Sequence, residues 1–276
     1  MTAAARNLVV CADDFGAAAE FTAPIVALAA AGRVTAISCL STHAAWAQAA
    51  PALNALPAQV SRGLHFNLSE GVPLSRELRR VWPQFPRLPR LLLAAHARLL
   101  PLAAIRAEWQ AQWQAFVDAT GHAPGHVDGH QHVHHLPGVR EIVLAALPLP
   151  VPVRHTGHIS GPGFGFKRGV IAHSGGRALS RALRRRGTPH NAVLTGVYDF
   201  IDSDYAGLVR RWLQALPAAG GQLFCHPGPA QPRHDDAIGA ARSREAQYLG
   251  SQAFADELAQ AQVRLVAPSQ QSSSAG

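Results

Sequence analysis

The stretch Leu8-Val9-Val10-Cys11-Ala12-Asp13-Asp14-Phe15-Gly16 decides how this chain is read. Leu8–Ala12 is an apolar run of strand length, and it leads straight into two acids. Adjacent carboxylates repel each other. At a strand end they also face partial burial, which is costly unless a cation or a proton compensates. A turn or a helix cap is the plain alternative for either acid alone.

The same arrangement recurs along the chain. His65 sits in Gly63-Leu64-His65-Phe66-Asn67, after the run that begins at Val60. Asp128 and His130 sit in His126-Val127-Asp128-Gly129-His130-Gln131-His132-Val133-His134. His226 sits in Phe224-Cys225-His226-Pro227-Gly228, after Gln222–Cys225. In a parallel barrel the C-terminal strand ends converge on one rim, so residues far apart in sequence meet there.

Between these points short apolar runs alternate with helix-length segments. Val34–Leu40, Val60–Asn67, the start at His126–Asp128, Val151–Arg154, Ala192–Tyr198, Gln222–Cys225 and Val263–Val266 read as strands. Thr22 and Pro24 open a helix that Gly32 closes. Ala44–Leu56 reads as a second helix, bent or restarted at Pro51. Ile105, Trp109, Trp113 and Phe116 share one helical face, with Gly121 and Pro124 beyond its end. Pro137 opens a helix running through Leu147. Ser203 caps another, with Leu208, Trp212 and Leu216 on one face. Arg244–Ala261 reads as a last helix. The Pro- and Arg-rich stretch Ser69–Ala104 reads as an insertion over one end of the domain.

Repeated βα units imply a mainly parallel sheet with crossover helices. Seven or eight of them in 276 residues favour an α/β distorted barrel, TIM-barrel-like, over an open doubly wound sheet. The expected organisation is one barrel domain over residues 1–267 and a disordered polar tail over 268–276. No GxGxxG or Walker loop follows the first strand, which lowers a nucleotide-binding reading.

Composition narrows the partners. Apolar residues are 48% and charged residues 15%, the balance of a globular chain. The net charge is +8 and the isoelectric point about 10.6. That suits an anionic partner, but no groove-reading or zinc-finger pattern supports nucleic acid. The basic run Arg177–Arg186 places Arg177, Arg181 and Arg185 on one face, the pattern of a solvated helix surface. A weak membrane-surface contact through it, and a homodimer, stay open. Three cysteines without a CxxC pair argue for a reducing compartment. With no signal-like or membrane-spanning segment, the chain reads as cytoplasmic.

Taken together, the polar clusters say more than any one of them. A lone His65 is more often a satisfied core histidine, and His226 before Pro227-Gly228 could be a turn residue. Alternation on an extended segment would put Asp128, His130 and His132 on one face. One carboxylate with two imidazoles suits a divalent cation, with positions left for water and substrate. A second carboxylate is then left as base, and a histidine from another strand as acid.

The motifs Ala12-Asp13-Asp14-Phe15-Gly16, Gly63-Leu64-His65, His126-Val127-Asp128-Gly129-His130-Gln131-His132 and His226-Pro227-Gly228, in that order, resemble those of the YdjC-like carbohydrate deacetylases, the chitooligosaccharide deacetylase group. Arg244, Glu245 and Leu249 resemble that family's C-terminal Arg-Glu helix. Ser69–Ala104 and Gly157–Pro189 are hard to match, and Cys11 stands where the family often has another residue. The resemblance implies a distorted (β/α) barrel and hydrolysis of N-acetyl groups on an amino sugar or oligosaccharide. It also implies one divalent cation, Mg2+ or Zn2+, on Asp14, His65 and His130, with Asp13 as general base. His226 then protonates the leaving amine, and surrounding carboxylates are expected to keep it charged. Arg154 either fixes Asp13 or binds substrate, and Asp128 orients a ligand from behind. Other amidohydrolase or phosphoesterase chemistry, with one metal or two, and non-catalytic glycan binding are the competing readings.

Overall fold

The computed structural model describes residues 5–148 and 150–271. Seven strands form one parallel sheet: β1 Arg6–Phe15, β2 Ala36–Cys39, β3 Ser61–Phe66, β4 Val127–Gly129, β5 Leu194–Thr195, β6 Gly221–Cys225 and β7 Val263–Leu265. Their order is β4-β3-β2-β1-β6-β5, and β7 also pairs with β1. One edge of β1 carries β7 opposite Arg6–Leu8 and then β2 opposite Cys11–Phe15. Its other edge pairs β6 over Leu8–Ala12. The sheet curls into an α/β, TIM-like distorted barrel with helices outside.

Two single bridges, Val127 with Val153 and Ile159 with Leu194, stand where further ladders would finish the circle. Val151–Arg154 and Ala192–Tyr198 are therefore shorter as strands than their composition suggests. Proline explains the first. Arg154 N–H donates to Val127 O, but Pro152, two residues back on the same edge, has no N–H to continue the ladder.

Side-chain alternation along β1 sorts two interiors. Leu8, Val10 and Ala12 join the main core under the helices. Val9 and Cys11 cluster instead with Ala36 and Val266 inside the barrel. The barrel interior is narrow, and Gly63 on β3 shows why: a Cβ there would lie 2.3 Å from the His126 ring. Only glycine leaves room for that imidazole.

The outer helices obey their local signals, with specific departures. Leu102–Thr120 buries Ile105, Trp109 and Phe116, and it ends at Gly121 in the left-handed region (φ 74°). Trp46 stacks on Phe116 with centroids 5.7 Å apart. Ala44–Leu56 divides into an α-turn Trp46–Ala49 and a 3-10 stretch Ala50–Ala55, since Pro51 cannot donate within an α-helix. Arg244–Ala261 is two helices, Gly239–Leu249 and Gln252–Gln260, because Ser251 caps the second by accepting from Phe254 N. Asp204 rather than Ser203 caps Tyr205–Gln214. Within 69–104 lie two helices, Arg76–Val81 and Leu88–His96. The tail expected to be disordered begins with a 3-10 turn, Pro268–Gln270, and the Gln271 side chain is buried against Gly221 O. Residues 272–276 of that tail lie outside the described residues.

Candidate active site

The site is assembled at the C-terminal ends of β1, β3, β4 and β6. Neighbours on a strand ordinarily point to opposite faces. Asp13 and Asp14 escape that rule. The β1–β2 register slips between Ala12 and Phe15, and Asp14 takes a left-handed φ of 65°. This bulge turns both carboxylates onto the rim. Both are buried, at 2% and 3% exposure, so each needs a fixed partner.

Arg154 is that partner for Asp13. Its two terminal nitrogens each donate to one Asp13 oxygen at 2.6 Å, and Nη2 also lies 2.6 Å from Asp128 Oδ2. Asp128 is fully buried on β4. It accepts from Ser38 Oγ at 2.6 Å and from His65 Nδ1 at 2.6 Å. Burial opposes its charge, but Arg154 and His65 outweigh burial and hold the carboxyl well below the usual range. Beneath it, Ser38 meets His126 Nε2 at 3.1 Å, and Ser61 meets His126 Nδ1 at 2.8 Å. Every polar group on this floor is committed to another.

The Asp128 contact fixes the His65 tautomer. With Nδ1 donating, the Nε2 lone pair faces outward, 3.6 Å from Asp14 Oδ1. Asp14 Oδ1 also lies 3.0 Å from His130 Nδ1, and its Oδ2 accepts from Arg242 at 2.7 Å. His130 Nε2 in turn meets Glu70 at 2.9 Å. With a carboxylate at each ring nitrogen, burial is outweighed and the His130 imidazole is raised to about 10.

Asp14, His65 and His130 offer three ligand atoms within 4.8 Å of one another. One carboxylate and two imidazoles, one of them held from behind by Asp128, fit a divalent cation with open positions. Charge fits once a cation takes the place of the proton on His130: the buried shell then holds three carboxylates, Asp13, Asp14 and Asp128, against two guanidiniums, Arg154 and Arg242. Two other triads, Asp13–His65–Asp128 and Cys11–His126–Asp128, fit poorly. Arg154 fills the first. In the second Ser38 engages all three side chains, and burial pushes the Cys11 thiol up, so it stays protonated.

Above these residues opens a cavity of about 770 Å³. Asp13, Asp14, His65, His130 and His226 line it, with Tyr198, Phe200 and Phe224 on one wall and Lys167 nearby. His226 follows β6, between the Phe200 and Phe224 rings at centroid distances of 5.3 and 5.6 Å. Burial there pushes its imidazole down to about 4, despite Asp14 and Asp13. The expectation of a charged His226 at rest is therefore corrected: burial outweighs the carboxylates. Its backbone N–H is held by Glu245, which also accepts from Tyr198 Oη at 2.5 Å. Burial raises Glu245 to about 7, against those two hydrogen bonds.

Asp13, Asp14, His65, Asp128, His130, Arg154 and His226 thus meet in one place. Arg154 is 2% exposed and its guanidinium is taken by Asp13 and Asp128, so it fixes Asp13 rather than reaching for substrate. His132 does not share a face with Asp128 and His130. Gln131 and His132 are left-handed (φ 50° and 62°), and the run folds as a 3-10 turn, His130–His135. Arg242, Glu70, Ser38 and Tyr198 escape the sequence reading, whereas Glu245, the partner of Tyr198, is singled out there with its helix. A signal for Arg242 existed: it stands three residues before Glu245 and seven before Leu249, on one helical face. Arg244, the arginine singled out from sequence, donates instead to Phe200 O.

The profile of the YdjC-like protein family matches residues 7–260. This chain belongs to that family. The YdjC-like fold is similar to a crystal structure from Enterococcus faecalis V583 named for cellobiose-phosphate cleavage. The two share 19% identity over 96% of this chain and 98% of that one, with a TM-score of 0.73. A structure described as a T48 deacetylase with substrate aligns over 96% of this chain and 90% of that one, at 14% identity and a TM-score of 0.44. No curated protein matches the sequence.

Proposed function

We propose that this YdjC-like protein is a carbohydrate N-deacetylase that uses one divalent cation, Mg2+ or Zn2+, held by Asp14, His65 and His130. The observation that carries the proposal is the convergence of that donor set with Asp13 and His226 on one cavity wide enough for a sugar. A bound cation would supply Lewis acidity to an amide carbonyl and lower the pKa of a nearby water.

This chain's own residues do the rest. Arg154 holds Asp13 so that a remaining lone pair can take the proton of the attacking water. Asp128 keeps the His65 Nε2 lone pair turned to the ligand position. Arg242 holds Asp14 from the other side. His226 protonates the leaving nitrogen. Since burial keeps it neutral at rest, the proton it delivers is taken up during turnover. Tyr198, Phe200 and Phe224 present rings to the apolar faces of a sugar and exclude water. A two-metal reading is weaker, because Arg154 and Ser38 occupy the neighbouring donors.

Acetate release from N-acetylglucosamine oligosaccharides, wild type against Asp13→Asn, tests the proposal. The variant should bind sugar but lose roughly 10²-fold or more in kcat, the span of a lost general base. Wild-type turnover by Asp13→Asn, or no acetate from any N-acetyl sugar with any divalent cation, would remove the assignment.

A further inference from the structure

The basic run Arg177–Arg186 has no part in the site above. It forms a helix with Leu179, Ser180 and Leu183 buried and its arginines outward. A second cavity of about 590 Å³ lies against it, lined by His155, His158, Arg177, Ser180, Arg181 and Arg184 among others. Arg177, Arg181 and Arg184 follow one another at i, i+4 and i+7, so their side chains share a face. The face read from sequence held Arg185 in place of Arg184; the cavity takes Arg184.

Four features set this cluster apart from an ordinary solvated helix. Among the described residues no carboxylate lines the cavity and none pairs with any of the three arginines. Like charges at such spacings repel, which destabilises a helix unless an anion intervenes. Arg184 is held in place, donating to Ser180 Oγ at 2.7 Å. His155 is 3% exposed, and its Nδ1 is buried with no hydrogen-bond partner. The wall is also rigid: a Cβ on Gly157, which lines the cavity, would lie 2.6 Å from Gly176 O at the head of the helix. Guanidinium groups that line one concave surface suit the oxygens of a phosphate, which arginine binds in bidentate fashion.

We propose that this cavity is a second binding site, distinct from the catalytic one, for a phosphate or pyrophosphate group. The inference does not rest on the deacetylase reading. The group could be carried by a soluble phosphorylated compound or by an anionic lipid headgroup, and the recognition chemistry is the same.

Calorimetric titration of the full-length protein with inorganic pyrophosphate at physiological salt tests it, on wild type and on Arg177→Gln/Arg181→Gln. The expected result is a saturable one-to-one isotherm, weakened at least tenfold in the double variant. Circular dichroism checks that the variant is folded, and Arg181→Gln alone serves if it is not. Flotation with phosphatidylglycerol vesicles, against phosphatidylcholine alone, separates the sources. Capture that pyrophosphate competes away assigns a lipid headgroup, and no capture assigns a soluble compound. Absence of saturable pyrophosphate binding, or equal affinity in wild type and variant, overturns the proposal, as does vesicle capture that pyrophosphate leaves untouched.

Discussion

At the scale of single residues, partners decide what each side chain can do. Asp13 and Asp14 are neighbours in sequence, yet Arg154 takes one while His130 and Arg242 take the other. The adjacency was legible in the sequence, and so was its cost. Which acid faces which partner came only from the family resemblance and not from the spacing, because it depends on a bulge and on the left-handed φ of Asp14. His226 teaches the opposite lesson. Its place was legible from the strand end, but its charge was set by burial, to which Phe224, two residues back on β6, and Phe200, from another part of the chain, contribute. If His226 protonates the leaving group, His226→Ala should slow hydrolysis of an N-acetyl sugar far more than that of an activated acetyl ester. An amine must be protonated to depart, and a weakly basic phenolate need not be. Equal losses on both substrates would move the acid role to another residue.

Elements carry the site through their ends and their glycines. The runs beginning at Leu8, Val34, Val60 and Gln222 were legible as strands because their apolar residues are unbroken. Val151–Arg154 was over-read, since prolines cost it a ladder that β-branched composition alone suggests. On β3, Gly63 makes room for His126. Gly63→Ala should overpack the barrel and cost about 1–3 kcal/mol, the usual range for a filled core. Urea unfolding would measure it, and a loss below a few tenths would mean that His126 can move aside. The helix Gly239–Leu249 contributes Glu245, whose carboxyl is raised from 4.5 to about 7. The folded state therefore holds a proton that the unfolded state gives up first. The cost is absent below about pH 4.5, grows as pH rises, and is complete above 7. Glu245→Gln does not titrate. From pH 4 to pH 8 its stability relative to wild type should improve by on the order of 3 kcal/mol. A difference between the two proteins that stays constant over that interval would contradict the raised carboxyl.

For the molecule as a whole, a parallel barrel explains why four distant motifs meet, and that convergence was the most legible feature of the chain. What lay beyond reach were Glu70, from the 69–104 stretch, and Ser38, from a strand without a motif; Arg242 carried a signal only through its helical spacing to Glu245 and Leu249. Glu70 meets the half-buried His130 and Ser38 the fully buried Asp128, and nothing local in the sequence marks either. In the proposed reaction hydrolysis depends on a single cation held by Asp14, His65 and His130. The direct measurement is acetate release from an N-acetylglucosamine oligosaccharide as metal-stripped protein is titrated with Zn2+, and separately with Mg2+. Activity should be absent in stripped protein, rise with added metal and, where binding is tight, break at one equivalent, while His130→Ala fails to recover. Full activity in stripped protein, a break at two equivalents, or recovery by His130→Ala with wild-type stoichiometry would contradict it.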